Sequence, residues 1–154
     1  MNATTDKIDA GKEFENLILF SHRLNALLEQ SALFTDQSLS VPAFSFLSVV
    51  SSEPGIAARK AAARASIFDK REQRMVRTGL VASGLLREVQ TETGTKTVEV
   101  TEAGSAALEA LRAGFSSAAD SAKVKSWKAV PRFASIVRAL RPTLGASTVQ
   151  EAAA

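Results

Sequence analysis

Residues 69–104 of the chain read DKREQRMVRTGLVASGLLREVQTETGTKTVEVTEAG, and the type of fold can be inferred from this segment. Asp69, with Glu72 three residues later, is an aspartate form of the capping box and indicates the N-terminus of a helix. Apolar spacing predicts that this helix covers 70–83, and Gly84 lies just past its end, where glycine commonly terminates helices. The stretch therefore begins with a short, capped helix that is rich in basic residues.

A β-hairpin is predicted directly after this helix. Residues 85–91 and 96–101 read as two short strands, the second of which alternates valine with polar residues. Gly94 lies between them, where the chain must turn. Glu102 then opens a further helix, so the hairpin is enclosed between two helices.

Three helices precede this stretch. Residues 13–30 carry apolar residues at helical spacing around so much of the circumference that the helix needs more than one neighbour. A dimer would supply that neighbour, and so would a well-covered monomer core. Ser40 as N-cap with Pro42 in the first turn predicts a second helix ending near Ser51, and the alanine-rich segment 56–65 predicts a third. The fold class is therefore mainly α with a small β-hairpin.

The helix over 70–83 divides into an apolar stripe and a basic face. Val76 and Leu80 form the stripe, which Met75 extends, and the stripe docks the helix on the rest of the chain. A helix, a sharp turn, a capped basic helix and a hairpin are the layout of a winged helix-turn-helix, whose second helix enters the major groove of DNA. Its exposed donors suit base edges, its N-terminus favours a phosphate, and the cations of the preceding helix suit phosphates. The predicted DNA contacts are Arg59, Lys60, Arg64, Lys70, Arg71, Gln73, Arg74, Arg77, Thr78 and Lys96.

Charge is distributed unevenly along the chain. The net charge is +3, but residues 56–80 carry seven basic and two acidic residues, and residues 121–142 carry six basic and no acidic ones. Residues 1–55 have a net charge of −4. The first basic segment predicts an anionic partner. For the second, pairing with the acidic N-terminal region across a dimer and a solvated face are equal alternatives, and direct contact with DNA is a third.

Composition argues against several other classes of function. Cysteine is absent and His22 is the single histidine, which leaves no zinc–cysteine site, no histidine-rich metal site and no thiol redox sensor. The sequence has no glycine-rich phosphate loop and no nucleophile elbow, so we expect neither an enzyme nor a bound cofactor. No apolar run is long enough to span a bilayer, and the polar N-terminus does not resemble a secretory signal. The expected location is the cytoplasm.

Two short strings resemble a known family. Val100-Thr101-Glu102-Ala103-Gly104 resembles the Leu-Thr-x-x-Gly that closes the wing of MarR-type transcriptional regulators. Leu80 with Gly84-Leu85 resembles the Leu-x-x-x-Gly-Leu at the end of the recognition helix in that family. Residues 39–112 thus look like a MarR-type DNA-binding domain. The wing departs from the family, because its tip has no arginine and offers Lys96 alone.

The resemblance implies a homodimer that binds a palindromic site on double-stranded DNA, as a repressor or an activator, with a repressor as our expectation. It also implies a small-molecule effector, and His22 and Arg23 on the first helix are candidates to line its pocket. For His22, a partly exposed or core histidine is the other interpretation. The predicted organisation is a flexible N-terminus at 1–12, a dimerisation helix at 13–34, the winged helix-turn-helix at 39–101, C-terminal dimerisation helices at 102–141 and a disordered tail at 142–154.

Two alternatives stay open. The chain could be a winged-helix protein that has lost DNA binding and acts as a protein-interaction module or anti-repressor, which the weak wing supports. A small helical enzyme is the other alternative, and no feature of the sequence favours it. Binding of duplex DNA distinguishes the regulator from both.

Overall fold

The computed structural model describes residues 10–121, which form six helices and one two-stranded hairpin. Residues up to Gly114 belong to one compact unit, and the packing described below lies within it. The elements are α1 (Ala10–Gln30), α2 (Ala32–Asp36), α3 (Val41–Ser52), α4 (Ala58–Arg64), α5 (Lys70–Ala82), β1 (Leu86–Gln90), β2 (Lys96–Val100) and α6 (Glu102–Ser121). This is the predicted fold class, mainly α with a β-hairpin after the basic helix.

The N-terminal part differs from its predicted boundaries. Residues 10–12, predicted as part of a flexible segment, belong to α1. The helix expected over 13–34 is interrupted at Ser31, whose hydroxyl donates to the carbonyl of Leu28 at 2.6 Å, and α2 follows. Several predicted segments lie outside the described residues. These are the remainder of the predicted flexible N-terminus, the end of the predicted C-terminal dimerisation helices, the basic segment 121–142 beyond its first residue, and the tail at 142–154.

The core forms where α3 packs against α4, α5 and β2. The buried face of α3 is contributed by Phe46, Leu47 and Val50, which are at most 2% exposed. Ala61 and Ala62 of α4 are buried as well, and their small side chains allow the neighbouring elements to approach closely. The core also includes Leu80 of α5, Leu86 and Val98 of the hairpin, and Leu108 and Leu111 of α6.

The hairpin is joined to the helices by backbone hydrogen bonds. β1 and β2 pair antiparallel, with Leu86 opposite Val100 and Gln90 opposite Lys96. Beyond the hairpin, the N–H of Val98 donates to the carbonyl of Ile56 at 3.1 Å, just before α4. The hairpin is therefore held directly against the start of α4.

The string at 100–104 closes the hairpin through close packing. The Thr101 hydroxyl donates to the carbonyl of Gly84 at 2.5 Å and accepts from the N–H of Gly104 at 3.1 Å, so it caps α6. The Thr101 N–H donates to the carbonyl of Leu85 at 3.1 Å. A Cβ on Gly104 would collide with that same carbonyl and lie 2.8 Å from Val100 Cγ1. The geometry thus requires glycine at this position.

Candidate nucleic-acid interface

α5 starts at a side-chain cap. The Asp69 carboxylate accepts hydrogen bonds from the N–H groups of Arg71 at 3.2 Å and Glu72 at 3.3 Å. This confirms the predicted N-cap. It also changes the expectation that the helix N-terminus receives a phosphate, because a carboxylate of the chain already takes two of its N–H groups.

One side of α5 packs against the rest of the molecule. Leu80 is 2% exposed and Val76 is half-buried, as predicted. Gln73 completes this side, since its Nε2 donates to the carbonyl of Ile67 at 2.7 Å. Gln73 was predicted to face DNA with the cations, but the structure turns its amide towards the turn between α4 and α5. This hydrogen bond gives the Ile67 carbonyl a donor, and the apolar spacing of the sequence does not predict such a contact.

The opposite side of α5 is exposed and basic. Lys70, Arg71, Arg74 and Thr78 all lie there with their side chains in solvent. Met75 lies among them and is 64% exposed. The prediction that Met75 extends the buried stripe is therefore wrong, because its side chain lies at the surface.

Arg77 differs from the other cations of α5. Its Nε lies 2.9 Å from Glu88 Oε1 on β1, and each of the two side chains is about one third exposed. Such an ion pair joins the helix to the hairpin. A guanidinium held in this way is less available to a base edge than those of Arg71 and Arg74.

α4 supplies further positive charge beside α5. Arg59 and Lys60 are exposed. Arg64, which was predicted to contact phosphate with them, forms an ion pair with Glu53 at the end of α3. An open cleft of about 290 Å³ separates the helices, and Arg59, Lys70 and Arg77 contribute cations to its lining. The structure thus brings predicted contacts from two helices to one surface.

The hairpin carries little unpaired positive charge. Arg87 Nε and Nη2 both donate to Glu99 Oε2 across the strands, at 2.9 and 2.6 Å. Lys96, the predicted wing contact, is exposed at the start of β2. The tip between the strands is organised by threonine hydroxyls, with Thr91 Oγ1 donating to the Thr95 carbonyl at 3.0 Å.

α1 presents a different kind of surface. Large apolar side chains between 36% and 68% exposed follow its length, namely Phe14, Ile18, Leu19, Phe20, Leu24 and Leu27. His22 and Arg23, the candidate effector residues, are exposed on the same helix. Among residues 10–121, no group of three or more histidine and carboxylate side chains is arranged to hold a metal ion. Within the same residues, no helix is long and apolar enough to cross a membrane.

Comparison with known proteins identifies the fold. No family model and no curated protein sequence matches the chain. Among solved structures, the transcriptional regulator SlyA superposes with a TM-score of 0.68 at 17% identity, covering 91% of this chain and 96% of that one. PcaV from Streptomyces coelicolor, in complex with its natural ligand, gives 0.61 at 18% identity over 96% and 99% of the two chains. A mutant of S. aureus MepR bound to an oligodeoxyribonucleotide gives 0.57 at 12% identity over 86% and 97%. A MarR family transcription regulator also superposes, with a TM-score of 0.66 at 15% identity over 91% of both chains. The chain is thus similar to MarR-type regulators in fold, a winged helix-turn-helix.

Proposed function

We propose that this protein is a cytoplasmic transcription regulator that binds double-stranded DNA as a homodimer and inserts α5 into the major groove. One observation carries the proposal. α5 packs through Leu80, Val76 and Gln73, and its opposite face leaves Lys70, Arg71 and Arg74 in solvent. An exposed helix with long donors on one face is what major-groove recognition requires.

Base recognition is assigned to Arg71, Arg74 and Thr78. A guanidinium can donate two hydrogen bonds to O6 and N7 of guanine, and each such contact discriminates against the wrong base by about 1–3 kcal/mol. Neither arginine forms an ion pair among the described residues, whereas Arg77 does. Removing Arg71 or Arg74 should therefore alter sequence preference.

Phosphate contacts are assigned to Arg59, Lys60 and Lys70, with Lys96 on the hairpin. Such contacts position a protein on the duplex without reading its sequence. Each one lost should lower the slope of log K against log salt by about 0.9. Arg64 and Arg77 contribute less in this assignment, because Glu53 and Glu88 neutralise them.

The homodimer is proposed from α1. Six large apolar side chains on this helix are exposed, and an exposed apolar patch of this kind commonly marks a protein–protein interface. A second copy of the chain has the same patch, so the two copies can cover each other in a two-fold dimer. A two-fold dimer presents two copies of α5, so the site on DNA should be a palindrome with half-sites about one helical turn apart, or a multiple of it.

Repression with release by a small molecule is the regulatory mode we propose. PcaV is described in complex with its natural ligand and MepR with an oligodeoxyribonucleotide, and both share this fold. Those properties belong to those proteins and support a search for an effector here. His22 and Arg23, exposed on the proposed dimer helix, remain the candidate contacts.

The test is binding of duplex DNA by the purified chain, first with its own genomic fragments and then with the sequence they share. The wild type should bind with an affinity that falls steeply as salt rises. The variant Arg71→Ala/Arg74→Ala should lose sequence preference. Arg112→Ala, which removes a charge from an exposed position on α6, is the matched control and should retain it. Absence of binding to every duplex at low salt would refute the proposal and favour the protein-interaction module.

A further inference from the structure

The exposed face of α5 contains a large apolar side chain among its donors. In the described residues, the large exposed apolar side chains outside α1 are Phe68, Met75 and Val81, all on α5 or directly before it. Met75 is the most exposed of these three, at 64%. The unusual feature is its position, since it lies next to Arg74 and one turn from Arg71.

Helical geometry places Met75 beside Arg71, at one edge of the proposed contact surface. Successive residues of an α-helix are about 100° apart, so Arg71, Met75 and Thr78 lie within about 60° of one another around the axis. Leu80, which docks the helix, lies about 140° from Met75. A helix that inserts Arg71 and Thr78 into a groove therefore brings Met75 towards the same groove, whereas Arg74 lies about 100° from Met75 around the axis.

The charges next to Met75 indicate what kind of partner contacts its side chain. A protein surface covering Met75 would have to desolvate Arg71 and Arg74 and provide anions for them. The major groove combines guanine acceptors and flanking phosphates with an apolar group of its own, the C5-methyl of thymine. DNA thus matches both the cations and the apolar side chain beside Arg71.

We propose that Met75 is a specificity-determining residue that packs against the C5-methyl group of a thymine, next to the base contacted by Arg71. The inference rests on the proposed function, because it requires α5 to enter the major groove. A thioether side chain is flexible and polarisable, and it adapts to an apolar contact of irregular shape. The preferred half-site should then contain a thymine at one fixed position.

Removing the methyl group from the DNA tests this directly. A duplex is first selected by the wild type from a randomised pool. It is then synthesised twice, once with thymine and once with uracil at the fixed thymine position of each half-site. Uracil differs from thymine only by lacking the C5-methyl group. The wild type should bind the uracil duplex about four-fold more weakly per methyl lost, and about 15-fold for two half-sites. Met75→Ala should bind the two duplexes alike, and Met75→Leu should keep part of the discrimination.

Val81→Ala is the matched control, since it shortens an exposed apolar side chain about 120° away from Met75 around the helix, and it should retain the full thymine preference. Equal binding of thymine and uracil duplexes by the wild type would overturn the inference and leave the proposed function intact. Discrimination that persists in Met75→Ala would also overturn it, by assigning the methyl contact to another residue. No binding of any duplex would instead refute the proposed function.

Discussion

Replacing Gly104 with alanine should destabilise the fold by about 2–3 kcal/mol. The added Cβ would lie 2.8 Å from Val100 Cγ1 and 3.1 Å from the carbonyl carbon of Leu85, with the carbonyl oxygen closer than either. Relieving such overpacking typically costs about 1–3 kcal/mol. The Leu85 carbonyl also accepts the Thr101 N–H, and losing that hydrogen bond adds about 1 kcal/mol. The higher helix propensity of alanine offsets at most about 1 kcal/mol.

Thermal unfolding followed by circular dichroism measures this effect, at one protein concentration because a dimer melts in a concentration-dependent way. The loss corresponds to a fall in Tm of about 5–10 °C for a chain of this size. Gly79→Ala is the matched control. Gly79 lies inside α5 with no atom within 4 Å of an added Cβ, so alanine should stabilise the protein by up to about 1 kcal/mol. If both variants moved the Tm in the same direction, the close approach at Gly104 would not be the reason for glycine there.

Three further predictions concern the support of α5. Asp69→Ala should lower the free energy of unfolding by about 1 kcal/mol, and Asp69→Asn by only a few tenths, because asparagine also caps helices; equal losses would contradict the cap. Gln73→Ala should cost about 1–2 kcal/mol by depriving the Ile67 carbonyl of its donor, yet leave base preference unchanged in a binding selection; a changed preference would return Gln73 to the contact surface. Arg77→Ala and Glu88→Gln should each cost at most about 1 kcal/mol, with a coupling of about 0.2–1 kcal/mol in a double-mutant cycle, because the ion pair is partly solvated; strictly additive losses would show that the pair contributes nothing.

Local signals in the sequence were sufficient for the starts of α3 and α5 and for the hairpin. Asp69 and Ser40 both cap helices as predicted, and Ser40 Oγ accepts the Ala43 N–H at 3.2 Å. A cap is a contact between residues two or three apart, so its signature is contained in the sequence itself. The hairpin was predictable for a similar reason, since Gly94 has a φ of +80° in the turn between the strands.

Only the structure shows which residues of α5 face the protein and which face solvent. Met75 and Gln73 exchange the roles that the sequence suggested, the first exposed and the second bonded to the protein. A rotation of the helix by a few tens of degrees decides which flank of the apolar stripe is covered, and that rotation is set by neighbouring elements. α2 was not predicted as a separate helix, because five residues are too few to show a helical period. Its Phe34 is nevertheless 1% exposed and packs edge to face against Phe44, with the two ring centroids 5.7 Å apart.

In the proposed complex with DNA, the hairpin supports α5 more than it adds to the attraction for phosphate. Residues 86–100 carry three acidic and two basic side chains, so the hairpin as a whole is repelled weakly by phosphate. Arg87 is engaged by Glu99, which leaves Lys96 as the wing contact we predict. Glu88 on β1 forms an ion pair with Arg77 of α5. The Val98 N–H of β2 donates a hydrogen bond to the carbonyl of Ile56, just before α4. Within the described residues, the proposed affinity for DNA therefore rests mainly on the cations of α4 and α5. Reversing the charge of Lys96 should accordingly weaken binding less than losing either arginine on the exposed face of α5.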